Sequence, residues 1–296
     1  MPKTLRILTP APGVLAYYDG RIPGHRFMPG PNWVDEGALE LGIASYAIHD
    51  GNHALIYDTH VSLDHARSVR NHLEGLGITR FTVVLSHRHL DHVAGTEVFA
   101  GSPVIANAKT LAHMTRDRKG IEDATFHGPP AIDPLILPTG TFSGQTTLQI
   151  GGISVELIEA EIHSDDATIL WLPETRLLFA GDCLEDCLTY VGDPDRLEMH
   201  VVDLARLKAL NPRRILPNHG AEEIIAHGGY GPRMIDAALA YTAHLIACRT
   251  DTAARALPPQ QVLAEWIASG DVIWFPPYAQ IHAQNLAQVT GQARIS

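Results

Sequence analysis

Only three of the 296 residues are cysteine, Cys183, Cys187 and Cys248, too few and too unevenly spaced for a disulfide framework. The chain also lacks any apolar run approaching the roughly 20 residues that a membrane-spanning helix requires. Its opening MPKTLRILTPAPG has no charged stretch followed by an apolar one, so no secretory signal is expected and a cytoplasmic protein is. Basic residues are scarce as well. Twenty-two Lys and Arg stand against 33 Asp and Glu, a formal net charge of -11, which disfavours a polyanionic partner such as nucleic acid. What the chain does have is a 45% hydrophobic content, enough for a large core, and 17 histidines. Imidazole is the commonest metal ligand, so the histidines direct the search for function toward metals.

The apolar patterning predicts mixed α/β structure. Residues 1–36, rich in Gly and Pro, read as an irregular arm. A hairpin follows around His49-Asp50-Gly51-Asn52. Ala66, Val69, Leu73 and Leu76 recur at helical spacing with Gly77 as a stop, and Phe81–Leu85 is a compact apolar strand. A further strand over 104–106 and a helix around 110–118 precede a Gly/Pro-rich stretch, 119–144, expected as a surface loop or flap. Short strands are predicted over 147–150, 153–159, 168–172, 177–180 and 214–216, with a helix over 201–210. The chain beyond about Met234 reads as mostly helical. No internal repeat or flexible linker interrupts this pattern.

Four ligand-type side chains fall within six residues at the end of the 81–85 strand: His87, His89, Asp91 and His92. A loop leaving a strand can turn alternate side chains toward one point while the adjacent Asp and His face a second. Three more candidates each follow a predicted strand: His163 in Glu-Ile-His-Ser-Asp-Asp, Asp182 in Ala-Gly-Asp-Cys, and His219 in Pro-Asn-His-Gly. Each is weak alone, but all share one placement.

With these residues in order from Asp58 to His219, the sequence resembles the metallo-β-lactamase superfamily, whose signature is H-x-H-x-D-H, a single His, a Gly-Asp pair and a late His. The resemblance implies an α/β fold, a four-layer αββα sandwich with the site at one edge. It places the catalytic core in residues 1–228 and a helical C-terminal extension, 229–296, packed on it. It further implies that His87, His89 and His163 hold one metal, that Asp91, His92 and His219 hold a second, that Asp182 bridges them, and that Asp58 supports the metal loop from behind. The expected cofactors are two zinc ions. The all-histidine first triad favours zinc, since His89 stands where the diiron branch of the superfamily has Glu, although iron or manganese would also be accepted.

Such a site generates its nucleophile from water, because zinc lowers the pKa of bound water from 15.7 to about 7. The expected chemistry is attack of a hydroxide held between the ions on the carbonyl of a small lactone, ester or related acyl substrate. Asp91 would shuttle the proton to the leaving group, and Tyr190 would donate a hydrogen bond to the substrate carbonyl. A glyoxalase II-like thioesterase, a phosphodiesterase or nuclease, and a non-catalytic metal-binding module are the alternatives. The expected partner is a small molecule, with no nucleic acid or membrane and with homo-oligomerisation left open. Two departures stand out. Ile162 precedes His163 where many members have Gly, and Asp182 takes the bridging place where the commonest true β-lactamases use a cysteine, which counts against penicillin-type substrates. Cys183 and Cys187, Tyr230, and the aromatic residues Trp274, Phe275 and Tyr278 are read as packing groups, and the remaining histidines, including His60, His113 and His127, as surface or structural.

Overall fold

A computed structural model describes residues 2–291; positions 292–296 of the C-terminal extension, like residue 1, lie outside the described residues. Among the described residues, twelve strands form two sheets. The first runs in the order β1 (Arg6–Ala11), β2 (Val14–Asp19), β3 (Ile43–Asp50), β4 (His53–Tyr57), β5 (Arg80–Val84), β6 (Val104–Asn107) and β7 (Gly140–Phe142). Strands β1 to β4 pair antiparallel and β4 to β7 parallel. The second sheet comprises β8 (Gln145–Ile150), β9 (Ile153–Ile162), β10 (Ser164–Leu172), β11 (Leu177–Gly181) and β12 (Arg214–Pro217), antiparallel until β12 pairs parallel with β11.

The layering follows from the two-residue period of the strands. On β4, Leu55 and Tyr57 face one way, and on β10 Leu170 and Leu172 face them across the gap, joined by Ile48, Phe179 and Leu216 in the core between the sheets. The alternate residues face outward. Ala54 and Ile56 pack under helices α1 (Leu63–Gly75), α2 (Leu90–Val93) and α3 (Ala108–Glu122), through Val69, Leu73, Val93 and Met114. Ile169 and Trp171 pack under α4 (Leu197–Ala209) and α6 (Arg233–Cys248), through Leu204, Leu207, Tyr241 and Leu245, while the short α5 (Glu222–Ala226) between them lies against β1 and β2. Three apolar cores between four layers define an αββα sandwich, as expected.

The C-terminal helices continue through α7 (Thr252–Arg255), α8 (Pro259–Val262), α9 (Ala264–Ser269) and α10 (Tyr278–Val289). They share the outer core of the second sheet, where Tyr278 and Val289 are buried with Leu204 and Ile235. Arg21 ties this extension to the first sheet: it donates to the Leu41 carbonyl at 2.7 Å, pairs with buried Asp186 at 3.3 Å and lies 4.1 Å above the Phe275 ring.

The N-terminal segment departs from the expected irregular arm. Arg6–Ala11 and Val14–Asp19 form an antiparallel hairpin at the edge of the first sheet, turning at Gly13, whose φ is +71°. The Gly and Pro residues that suggested irregularity mark the turns, whereas β2, VLAYYD, is buried along its whole length. The 119–144 stretch is mainly loop, as expected, between the end of α3 and β7. It is pinned to the arm by Trp33, whose indole donates to the Pro130 carbonyl at 2.9 Å.

Candidate metal centre

The C-terminal ends of β4, β5, β11 and β12 and the β9–β10 turn meet at one edge of the sandwich, and each carries one or more of the residues singled out in the sequence. Open α/β sheets present loops there that are positioned by rigid strands. Asp58 follows β4; His87, His89, Asp91 and His92 occupy the loop from β5 into α2; Asp182 follows β11; His219 follows β12. His163 is the single residue between β9 and β10, held in the left-handed region at φ +68°. A strained conformation of this kind at a β-turn persists only where its surroundings enforce it.

Two groups of ligand atoms result: His87, His89, His163 and Asp182 in one, Asp91, His92 and His219 in the other. In the first, Nε2 of His87 and Nε2 of His163 lie 2.9 and 3.0 Å from Nδ1 of His89. Three imidazole nitrogens facing one another in a buried space is an arrangement a cation resolves. Asp182 stands between the groups. Its Oδ2 is 3.6 Å from Nε2 of both His87 and His163, 3.1 Å from Nε2 of His92 and 3.5 Å from Nε2 of His219. Its other oxygen, Oδ1, is buried with no hydrogen-bond partner among the described residues. A buried carboxylate oxygen left unsatisfied is costly, and an ion bound there would satisfy it. Asp91 Oδ2 completes the second group, 3.3 Å from His219 and 3.5 Å from His92. The residues present therefore fit divalent ions in donor type, burial and unsatisfied lone pairs.

Three of the five rings are oriented by the far nitrogen, which fixes the nitrogen presented to the centre, while Nδ1 of His163 is buried without a hydrogen-bond partner among the described residues. His92 Nδ1 is 2.8 Å from Asp58 Oδ2, His219 Nδ1 donates to the Gly42 carbonyl at 2.8 Å, and His87 Nδ1 is 2.9 Å from the Ser86 hydroxyl. Asp58 also accepts from the Ser86 amide at 2.6 Å and from the Asn218 side chain, so it ties three strand ends together. Asp166 clamps the H-x-H loop from the opposite sheet: its carboxylate accepts from the Arg88 amide at 3.0 Å and from the Arg88 guanidinium at 2.8 Å. Gly95, just past α2, lets the chain lie against α1, since a Cβ there would come within 2.4 Å of the Ala66 side chain and 2.2 Å of the Thr59 carbonyl oxygen.

The electrostatics divide the imidazoles. Burial lowers the pKa of His89 to about 4 and of His163 to about 3, and carries His87 down with them, so all three are neutral ligands at pH 7. Burial also opposes protonation of His92 and His219, but Asp182 and Asp91 outweigh it, raising His219 to about 9 and His92 well above its usual value. An ion entering the second group would have to displace these protons, so its affinity would fall as the pH is lowered.

The centre opens into a cleft of about 670 Å³. Its walls come from the kinked segment Val34–Leu39, from α10 through Gln280, Ile281 and Gln284, and from His127 of the 119–144 loop. Tyr190 lines the cleft, its ring centre 5.9 Å from that of His163 and its hydroxyl accepting from Gln288 at 3.4 Å. Two titratable cleft residues were not assigned to the site from the sequence. His127, read there as surface or structural, lines the cleft instead, and no motif marked it. Glu185, three residues beyond Asp182, is buried with Oε1 3.7 Å from His163 Nδ1, and burial together with the Asp182 charge pushes its pKa up to about 8. Its position in Asp-Cys-Leu-Glu was the available signal. Cys183 and Cys187 are free and buried, and burial raises their thiols well above the usual range, consistent with packing. His60 is buried, stacked at 4.4 Å on His65, and His113 pairs with Asp165.

Comparison with known proteins places this architecture. Residues 39–219, more than half of the chain, match the family model of the metallo-β-lactamase superfamily, and the chain belongs to that superfamily. It is 27% identical over 203 residues, 68% of its length, to a β-lactamase-like protein 2 homolog of Caenorhabditis elegans, and 27% identical over 141 residues to a putative transcription factor, avaE, of Aspergillus versicolor. The matches span 60% and 41% of those two relatives. Among solved structures it resembles a metallo-β-lactamase from Pontibacter korlensis, with a TM-score of 0.56 at 17% identity over 78% of this chain and 99% of that one. The mono-zinc form of the metallo-β-lactamase FIM-1 from Pseudomonas aeruginosa gives 0.59 at 14% identity over 81% and 95%. These likenesses establish the fold. The superfamily is one of metal-dependent hydrolases, and the His/Asp cluster is its candidate metal site. No helix among the described residues is long and apolar enough to cross a membrane.

Proposed function

We propose that the protein is a dinuclear, zinc-dependent hydrolase of a small lactone, ester or related acyl substrate. The observation that carries this reading is the position of Asp182, with one oxygen within reach of imidazoles from both ligand groups and the other unsatisfied. His87, His89 and His163 would hold one ion, Asp91, His92 and His219 the other, and Asp182 both. Ions bound there supply a water deprotonated near neutral pH and polarise an acyl oxygen. The protein's own groups do the rest. Asp58 fixes the His92 ring, Asp91, at the cleft floor, carries a proton to the leaving group on the carboxylate oxygen not given to the ion, and the Tyr190 hydroxyl donates to the acyl oxygen.

The test is metal analysis of the purified protein followed by a panel of chromogenic lactones, esters, thioesters, β-lactams and phosphodiesters, with and without chelator. Two equivalents of zinc and chelator-sensitive turnover of lactones or esters are expected. A preference for thioesters or phosphodiesters would move the assignment to those branches, and a two-metal protein that turns over nothing in the panel would contradict it.

A further inference from the structure

The hydrolytic centre has a charge asymmetry along its cleft. Among the described residues, no Lys or Arg lines it, while Glu36 and Glu40 stand exposed on its wall. The cations nearest in the structure are already engaged. Arg21 is held by Asp186 and the Leu41 carbonyl, Arg26 is held between Asp35 at 3.5 Å and Glu36 at 3.9 Å, and Arg88 is clamped by Asp166. The remaining wall is uncharged: Trp33, Leu41, Tyr190 and Ile281 offer apolar surface, and Gln280 and Gln284 offer amides. With divalent ions bound at Asp182, the floor of the cleft attracts electron-rich oxygen, while its wall repels negative charge.

Resting on the hydrolase reading above, we infer that the substrate is an acyl compound whose body is uncharged or cationic, and that Glu36 and Glu40 exclude carboxylate- and phosphate-bearing homologues. A substrate anchored by its acyl group at the floor extends its body along the wall bearing the two carboxylates. A remote anion would meet like charge there, the one guanidinium beside it, that of Arg26, being already shared by Asp35 and Glu36, whereas an ammonium or a neutral apolar chain meets no such penalty. Glu36 and Glu40 are both solvent-exposed, so water and salt moderate the effect, and two such charges give discrimination on the order of tenfold at low ionic strength.

The experiment uses the zinc-loaded full-length protein and three straight-chain hydroxamates of equal length ending in methyl, ammonium or carboxylate, with acetohydroxamate as the anchor alone. Dissociation constants are measured by calorimetry at low and high salt. The expected order is ammonium and methyl forms binding about tenfold more tightly than the carboxylate form at low salt. That gap should shrink at high salt and invert in the Glu36→Lys/Glu40→Lys double variant, whose substitutions lie on exposed positions. Matched aryl esters should follow the same order in kcat/KM. If the carboxylate form binds as tightly as the methyl form, or if the double variant leaves the order unchanged, the inference is overturned while the hydrolase reading stands. If acetohydroxamate does not bind and no ester is turned over, both are overturned.

Discussion

Asp182→Ala is expected to lower kcat by about 10³-fold and to reduce bound zinc from two equivalents toward one, with the fold intact. The carboxylate lies within reach of imidazoles of both ligand groups, so with two ions bound as proposed its removal would delete a donor from each and leave the cations without the carboxylate between them. Oδ1 makes no hydrogen bond among the described residues and Oδ2 makes one, with His92 at 3.1 Å, so the substitution removes a single hydrogen bond from the surrounding structure. Metal analysis and steady-state kinetics on the same preparation check this. Undiminished turnover would remove Asp182 from the mechanism.

Asp58→Ala should act in the opposite proportion, with the larger effect on stability. Asp58 accepts from the Ser86 amide, the Asn218 side chain and the His92 ring, all within the buried junction of β4, β5 and β12. Truncation would strand these donors, at a cost of about 3–5 kcal/mol. It would also free the His92 ring to rotate, weakening metal affinity by about 10–100-fold. Denaturant unfolding of the metal-free protein isolates the first effect, and zinc titration the second. A midpoint unchanged from wild type would show that Asp58 does not brace the junction.

The contiguous part of the site was the most legible. His87, His89, Asp91 and His92 are close in sequence because one loop must supply both ligand groups, and a short helix after a strand places them there. His163, Asp182 and His219 became legible only through their shared place at strand ends and the ordered resemblance, since nothing local marks a lone His or Asp as a ligand. The four layers were legible only through the family resemblance, while the strands themselves showed as short apolar runs, which is a local property. The N-terminal hairpin was missed because Gly13 and neighbouring prolines dominate a short window, while the pairing of Val14–Asp19 with β3 is a long-range event. The cleft walls were hidden for the same reason. Glu36, His127 and Gln280 come from three distant segments brought together by packing, with no spacing that announces a pocket.

The most direct test of the account is a crystal structure of the zinc-saturated protein with anomalous scattering measured on both sides of the zinc edge. Two peaks are expected, one among His87, His89 and His163 and one among Asp91, His92 and His219, with Asp182 coordinating both. No peak at saturation, or zinc held elsewhere with His163 or His219 turned away, would contradict it.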